Sequence, residues 1–271
     1  MPSAFPSLPN PSPGPLVLGH RGASADAPEN TLAAFRLAMA QGADGIELDV
    51  WRCATGEVVV VHDEDGRRTA GAPLRVPEAP LAALRSLDVG AWKGAAFRGE
   101  RIPLLAEVLE ALPAALVNVE LKSRGGDPRL GAAAAAVIRR AGAARRVVVS
   151  SFDFRLLAAF RRAAPEVALG LLFEGGHLWR LRTALARGRL QPAALHPDRA
   201  LVTAARVARW RAAGLAVAAW TVDAPDEVAR LARAGVSAVI TNAPGRTRAV
   251  LDGLAARARS SQAGERSDRE P

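Results

Sequence analysis

Short apolar runs return along the chain at intervals, and between them lie stretches in which apolar side chains recur every third or fourth residue. Runs of the first kind bury as strands, and stretches of the second kind pack one face of a helix, so their alternation predicts repeated βα units. Strands are predicted at Leu16–His20, Asp44–Val50, Leu116–Lys122, Arg146–Ser151, Val167–Phe173, Ala193–His196, Leu215–Trp220 and Ser237–Thr241. Helices are predicted from Leu32 to Gly42, capped by Asn30 or Thr31, and then at Pro103–Leu112, Pro128–Ala141, Phe154–Ala164, Leu178–Arg187, Thr203–Ala213, Pro225–Ala234 and Gly245–Ala256. Eight parallel strands joined by helical crossovers imply an α/β fold, a TIM (β/α)8 barrel.

One segment breaks the period. In the second strand Ile46, Leu48 and Val50 fall on one face and Glu47 and Asp49 on the other. Ala54-Thr55-Gly56-Glu57 then reads as a turn that brings the chain back through Val58–Val61 as a hairpin. With Thr55 and Gly56 as the two turn residues, His62 is expected opposite Asp49. Residues 64–101, irregular and punctuated by Gly and Pro, read as a short insertion after the second strand, with small helical pieces and no core of its own. The barrel is expected over 16–257, after a Pro-rich leader at 1–15 and before a disordered tail at 258–271.

With 271 residues and 49% hydrophobic content, the chain can fill one large core. Its single cysteine, Cys53, excludes a disulfide framework, has no acidic or His/Cys cluster around it for zinc, and is expected to be buried. The leader has neither a charged start nor an unbroken apolar run, so neither a signal peptide nor a membrane span is predicted and a cytoplasmic location is expected. The net charge of +9 is spread as arginines over helical patterns, with only 4% aromatic residues, which describes solvated helix faces rather than a nucleic-acid groove. Lysine occurs only at Lys93 and Lys122, and the second stands two residues after Glu120, where a compact ammonium has a specific use.

In a TIM barrel the C-terminal ends of the strands share one face, and active sites form there. His20 ends the first strand, Glu47 and Asp49 the second, Glu120 and Lys122 the third, and Trp220 the seventh. Three carboxylates aimed at one point repel one another unless a cation neutralises them. Oxygen-only donors select a hard divalent ion, with Mg²⁺ and Ca²⁺ both open. Arg21 together with the ion suits the non-bridging oxygens of a phosphate, and Lys122 adds positive charge as the transition state forms. His20 and His62 can share proton transfer across an in-line displacement, so the set as a whole describes phosphoryl chemistry.

Around these residues the sequence resembles the glycerophosphodiester phosphodiesterase family. The matching runs include Gly19-His20-Arg21-Gly22-Ala23, Pro28-Glu29-Asn30-Thr31, Ile46-Glu47-Leu48-Asp49-Val50, Val61-His62-Asp63, Arg68-Thr69, Val119-Glu120-Leu121-Lys122, Ser150-Ser151-Phe152, Trp220-Thr221-Val222 and Ile240-Thr241-Asn242-Ala243-Pro244. The resemblance implies a metal-dependent barrel that hydrolyses glycerophosphodiesters to sn-glycerol 3-phosphate and an alcohol. It implies His20 and His62 as the acid–base pair, Glu47, Asp49 and Glu120 as metal ligands, and Arg21 and Lys122 as phosphate contacts. Trp220 would line the glycerol or head-group side, or close the barrel core. Asp223, where the family often has Asn, is expected to lie away from the chemistry. His177 reads as a surface-loop residue and His196 as a structural hydrogen-bonding one. Two other readings stand beside this one: a lysophospholipase D-like phosphodiesterase, and a catalytically silent barrel that binds anions.

Overall fold

The computed structural model describes residue 6 and residues 14–122, 127–175 and 188–267. Eight strands run parallel: β1 (Leu16–His20), β2 (Gly45–Arg52), β4 (Leu116–Leu121), β5 (Val147–Ser151), β6 (Ala168–Phe173), β7 (Ala194–Pro197), β8 (Ala216–Ala219) and β9 (Ala238–Thr241). Their order, β1-β9-β8-β7-β6-β5-β4-β2, is closed by pairing of β1 with β2, which makes the sheet the barrel that the alternating pattern predicts. Helices α1 (Leu32–Ala40), α4 (Leu105–Ala111), α5 (Pro128–Arg140), α6 (Phe154–Ala163), α7 (Ala204–Ala212), α8 (Pro225–Ala234) and α9 (Pro244–Ser267) lie between or after the strands. The helix expected at Leu178–Arg187, and His177 before it, lie outside the described residues. The last helix runs on to Ser267 rather than stopping at Ala256, because Ala255-Ala256-Arg257-Ala258-Arg259 holds no helix breaker.

Period-two alternation divides the core. Ile46, Leu48 and Val50 face outward and join the helices in the main hydrophobic cluster. Leu16, Leu18, Leu116, Ala218, Ala238 and Ile240 face inward and fill the lumen, with Trp220 packed against them. The carboxylates of β2 share that inward face at the opposite, C-terminal end. At Gly45 an added Cβ would stand 2.1 Å from the Leu116 carbonyl oxygen, so β2 and β4 approach closely here only because the residue is glycine.

The hairpin departs from the expected register by one residue. β3 (Val58–Val60) pairs antiparallel with β2 as Val50 with Val60, Trp51 with Val59 and Arg52 with Val58. The loop holds three residues, not two: the Cys53 amide donates to the Glu57 carbonyl, the Gly56 amide to the Cys53 carbonyl, and Gly56 takes φ +105°. Val61, not His62, therefore faces Asp49, its amide donating to the Asp49 carbonyl at 3.0 Å. Regular pairing stops at Val60, so His62 is free of the pleat.

The insertion contributes α2 (Arg67–Ala70), α3 (Leu81–Arg85) and a 3-10 turn at Ala95–Phe97. Its apolar residues share a cluster with the hairpin: Val76, Ala79, Leu84 and Val89, with Ile102 just after the insertion, pack with Trp51, Cys53, Val59 and Val61. Cys53 is buried and unpaired there. Hairpin and insertion thus form one cap beside the barrel mouth.

Candidate active site

Strand register assembles the first half of the site. His20 is the lateral partner of Glu47 across β1 and β2, and Asp49 is the partner of Glu120 across β2 and β4. All three carboxylates are buried, and one oxygen of each lies within 4.8 Å of the others. Lys122, just past β4, sets its Nζ 2.7 Å from Glu120 Oε1 and 3.2 Å from Asp49 Oδ1.

The three are unequally compensated. Burial would push the Asp49 carboxyl up, but Lys122, Arg21, His62 and the Asn30 amide outweigh it and hold the group below the usual carboxylate range. Burial, together with the neighbouring charges of Asp49 and Glu120, drives Glu47 well above that range. Glu120 is pushed up to about 7 by burial and Asp49, against the pull of Lys122. Arg21 and Lys122 therefore neutralise Asp49 and leave Glu47 and Glu120 under-compensated. A buried oxygen donor set with that deficit fits a hard divalent cation.

A strained turn aims Arg21. Its φ of +55° lies in the left-handed region, which is disfavoured for any residue with a Cβ and costs about 1 kcal/mol or more. In that conformation its amide donates to Glu47 Oε2 at 3.1 Å. Its guanidinium lies between Glu29 Oε1, 2.9 Å from Nη1, and Asp49 Oδ2, 3.2 Å from Nε. Thr31 provides the N-cap of α1 by accepting from the Ala34 amide, which frees Asn30 for another task. Asn30, also left-handed at φ +57°, donates from Nδ2 to Asp49 Oδ2 at 2.9 Å and accepts the Asp49 amide at 3.3 Å. Proposed from the sequence only as a possible cap, it is a buried support of the carboxylate cluster.

Each of the two histidines has Nδ1 engaged. His20 Nδ1 lies 2.7 Å from Asn242 Oδ1, and its Nε2 lies 3.9 Å from Glu47 Oε2. Asn242 cannot turn over, because its Nδ2 donates to Asp223 Oδ2 at 2.6 Å and its amide to Asp223 Oδ1 at 2.7 Å. A carboxylate only accepts, so Oδ1 of Asn242 is the atom facing His20, the proton sits on Nδ1, and Nε2 of the neutral ring carries the lone pair. Asp223, expected to stand apart from the chemistry, instead sets the tautomer of His20. Asn242 begins the loop after the last barrel strand, and its position on the active face is the signal that could have singled it out.

His62 Nδ1 lies 2.7 Å from Asp63 Oδ1. The ring is within electrostatic reach of Asp49, Lys122 and Arg21, although the register that was to bring it there is not the one adopted. Burial holds both histidines below the ordinary imidazole range, with Arg21 adding to the effect at His20 and Asp49 opposing it at His62.

Trp220 serves the lumen and the rim together. It packs on the lumen cluster, donates Nε1–H to the His196 carbonyl at 2.8 Å, and meets Phe152 edge to face at a centroid distance of 5.5 Å. His196 departs from expectation: neither ring nitrogen has a hydrogen-bond partner among the described residues. The ring lies across Gly170, where an added Cβ would be 2.6 Å from Nε2, and burial pulls its pKa down to about 4. It is a neutral packing residue inside the barrel.

Fold and site together define a TIM-barrel enzyme with a buried acidic centre flanked by arginine, lysine and two oriented histidines. The sequence model of the glycerophosphoryl diester phosphodiesterase family matches residues 20–246. A glycerophosphodiester phosphodiesterase of Caldanaerobacter subterraneus subsp. tengcongensis is 38% identical over 236 residues, covering 84% of this chain and 94% of that protein. Among solved structures, a phosphodiesterase of Oleispira antarctica in complex with the product sn-glycerol-3-phosphate superposes with a TM-score of 0.79 at 31% identity, over 88% of this chain and 97% of that one. A glycerophosphodiester phosphodiesterase of Agrobacterium tumefaciens gives 0.75 at 30% identity, over 87% and 99%. The chain belongs to the glycerophosphoryl diester phosphodiesterase family and is an enzyme of that class. Among the described residues no helix is long and apolar enough to cross a membrane.

Proposed function

We propose that this chain hydrolyses glycerophosphodiesters to sn-glycerol 3-phosphate and an alcohol with the help of a divalent cation, Mg²⁺ or Ca²⁺, held by Glu47, Asp49 and Glu120. The observation that carries the reading is the buried three-carboxylate cluster, against which Arg21 and Lys122 are the cations paired among the described residues. With all three ionised, as holding a cation requires, three negative charges against two positive leave one uncompensated. A dication and a phosphodiester monoanion together close the balance to zero. When bound, such a cation supplies Lewis-acid polarisation of a phosphoryl oxygen and charge compensation.

The remaining work falls to side chains of the chain itself. Arg21 and Lys122 attract and orient the phosphate oxygens and stabilise the charge that builds on them. With Nδ1 engaged in both rings, proton exchange occurs at Nε2 of His20 and of His62. The partners differ, however. Both acceptors favour the charged ring, the Asp63 carboxylate at His62 with a full negative charge and the Asn242 oxygen at His20 only as a dipole. The arrangement suits His20 to accept the proton of the attacking oxygen and His62 to give one to the leaving alcohol. Trp220 and Phe152 offer an apolar edge for the glycerol or head group, and the substrate needs no nucleic acid or inserted membrane partner.

The test is turnover of glycerophosphocholine and glycerophosphoethanolamine with Mg²⁺ or Ca²⁺, followed by release of sn-glycerol 3-phosphate. Activity that EDTA abolishes and either ion restores supports the proposal. Turnover of lysophospholipids alone would move the assignment to a lysophospholipase D, and no turnover with salt-sensitive anion binding would leave a silent barrel.

A further inference from the structure

One residue of the insertion reaches toward both halves of the site. Arg68, on α2, engages three nitrogens with two carboxylates: Nε donates to Asp63 Oδ2, Nη1 to Glu29 Oε2 and Nη2 to Glu29 Oε1, each at 2.7 Å. Asp63 offers its other oxygen to His62 Nδ1 at 2.7 Å. Glu29 Oε1 also accepts from Arg21 Nη1 at 2.9 Å, and Arg21 Nε stands 3.2 Å from Asp49 Oδ2. Charge-assisted contacts therefore run without a break from His62 through the insertion to the arginine beside the carboxylate cluster.

The Arg68 side chain is 45% exposed but Glu29 only 12%, and the bidentate pair belongs to a network, so it can add stability as well as direction. Of the four residues of α2 only Thr69 is buried, so Arg68 is not there to anchor a core. A planar guanidinium bridging two carboxylates does fix direction. Held at Oδ2, Asp63 cannot swing, so its Oδ1 sets the plane of the His62 ring and hence the line along which Nε2 points.

We propose that Arg68 is a positioning residue for His62, acting through Asp63, with Glu29 anchoring the same guanidinium to Arg21. The insertion then holds the acid–base group and the phosphate-binding group in a common frame. This rests on the phosphodiesterase reading and on the proton-transfer role of His62 within it.

A double-mutant cycle of Arg68→Ala and His62→Ala, assayed on glycerophosphocholine with saturating cation, tests it. Arg68→Ala is expected to lower kcat about 10- to 100-fold, more than it raises KM. Arg68→Lys is expected to restore little, because a point charge cannot bridge both carboxylates. In the His62→Ala background, removing Arg68 is expected to cost less than about twofold further, since the group it positions is gone. The proposal fails if Arg68→Ala turns over at the wild-type rate, or if the two losses multiply in the double variant. Should Arg68→Ala not fold, Arg68→Gln enters the same cycle and is judged by the same outcomes. An inactive wild type with either cation would overturn the phosphodiesterase reading and this inference together; an active wild type matched by Arg68→Ala would overturn this inference alone.

Discussion

The two histidines of the site look alike in sequence and are built differently. His20 ends a strand of the closed barrel, its side chain 19% exposed, and is oriented by a neutral amide that Asp223 locks from the loop before α8. His62 follows a hairpin outside the barrel, its side chain 30% exposed, and is oriented by a carboxylate that Arg68 of the insertion holds. Both arrangements engage Nδ1 and free Nε2. What differs is charge: both acceptors favour the protonated ring, the amide oxygen as a dipole and the carboxylate with a full negative charge. In the proposed division of labour the barrel end provides the base, and the decoration beside the barrel mouth provides the acid.

The largest expected effect tests whether the two histidines really divide the work. His20→Ala and His62→Ala are each expected to lower kcat on glycerophosphocholine by about two to four orders of magnitude. With a p-nitrophenyl leaving group, which departs without a proton, His62→Ala is expected to recover most of its loss and His20→Ala none. Equal recovery in both variants would dissolve the distinction.

Next in size is the carboxylate cluster between them. Glu47→Ala and Asp49→Ala are expected to raise the cation concentration needed for half-maximal activity by about tenfold or more, read from metal titrations of EDTA-stripped protein. An unchanged requirement would remove either residue from the ligand set.

The anchor of His20 comes third. Asp223→Ala lets Asn242 turn its Nδ2 toward His20, and is expected to reduce kcat about tenfold with KM nearly constant. Nitrogen-15 spectra of the ring would show a second tautomer. A single Nδ1–H tautomer in the variant would mean that Asn242 is held by something else.

The smallest effect concerns the buried histidine that has neither kind of anchor. The pKa of His196 is about 4 in the folded chain and near 6.5 unfolded, so the unfolded state takes up the proton first as pH falls. Its contribution to stability is present above pH 6.5 and is lost progressively toward pH 4. Between pH 7 and pH 5 this amounts to about 2 kcal/mol, an order-of-magnitude figure from the linkage relation. Urea unfolding of His196→Leu is expected to lack that part of the pH dependence, and identical slopes in variant and wild type would place the acid sensitivity elsewhere.

The barrel was legible because its strands and helices announce themselves locally, by period two and period three to four. Glu47 and Asp49 were legible for the same reason: polar residues inside an otherwise apolar strand must face something other than the helices. The hairpin register was not. Two loop residues or three satisfy the same Ala-Thr-Gly-Glu run; a two-residue type I′ turn would need positive φ at Thr55 as well as Gly56, and the three-residue loop adopted needs it at Gly56 alone. Asn30, Asn242 and Asp223 were equally hard to read, since nothing local separates an Asn that caps a helix or closes a turn from one that supports a carboxylate or orients an imidazole.

Sequence by itself determined the eightfold βα pattern, the inward placement of the carboxylates and the set of charged groups gathered at the strand ends, because these follow from side-chain periodicity and chain direction. Tertiary structure alone decided which groups are neutralised and which way each ring faces. Those depend on contacts between residues far apart in the chain, such as His20 with Asn242 and Glu29 with Arg68, and on burial that only closure of the barrel creates.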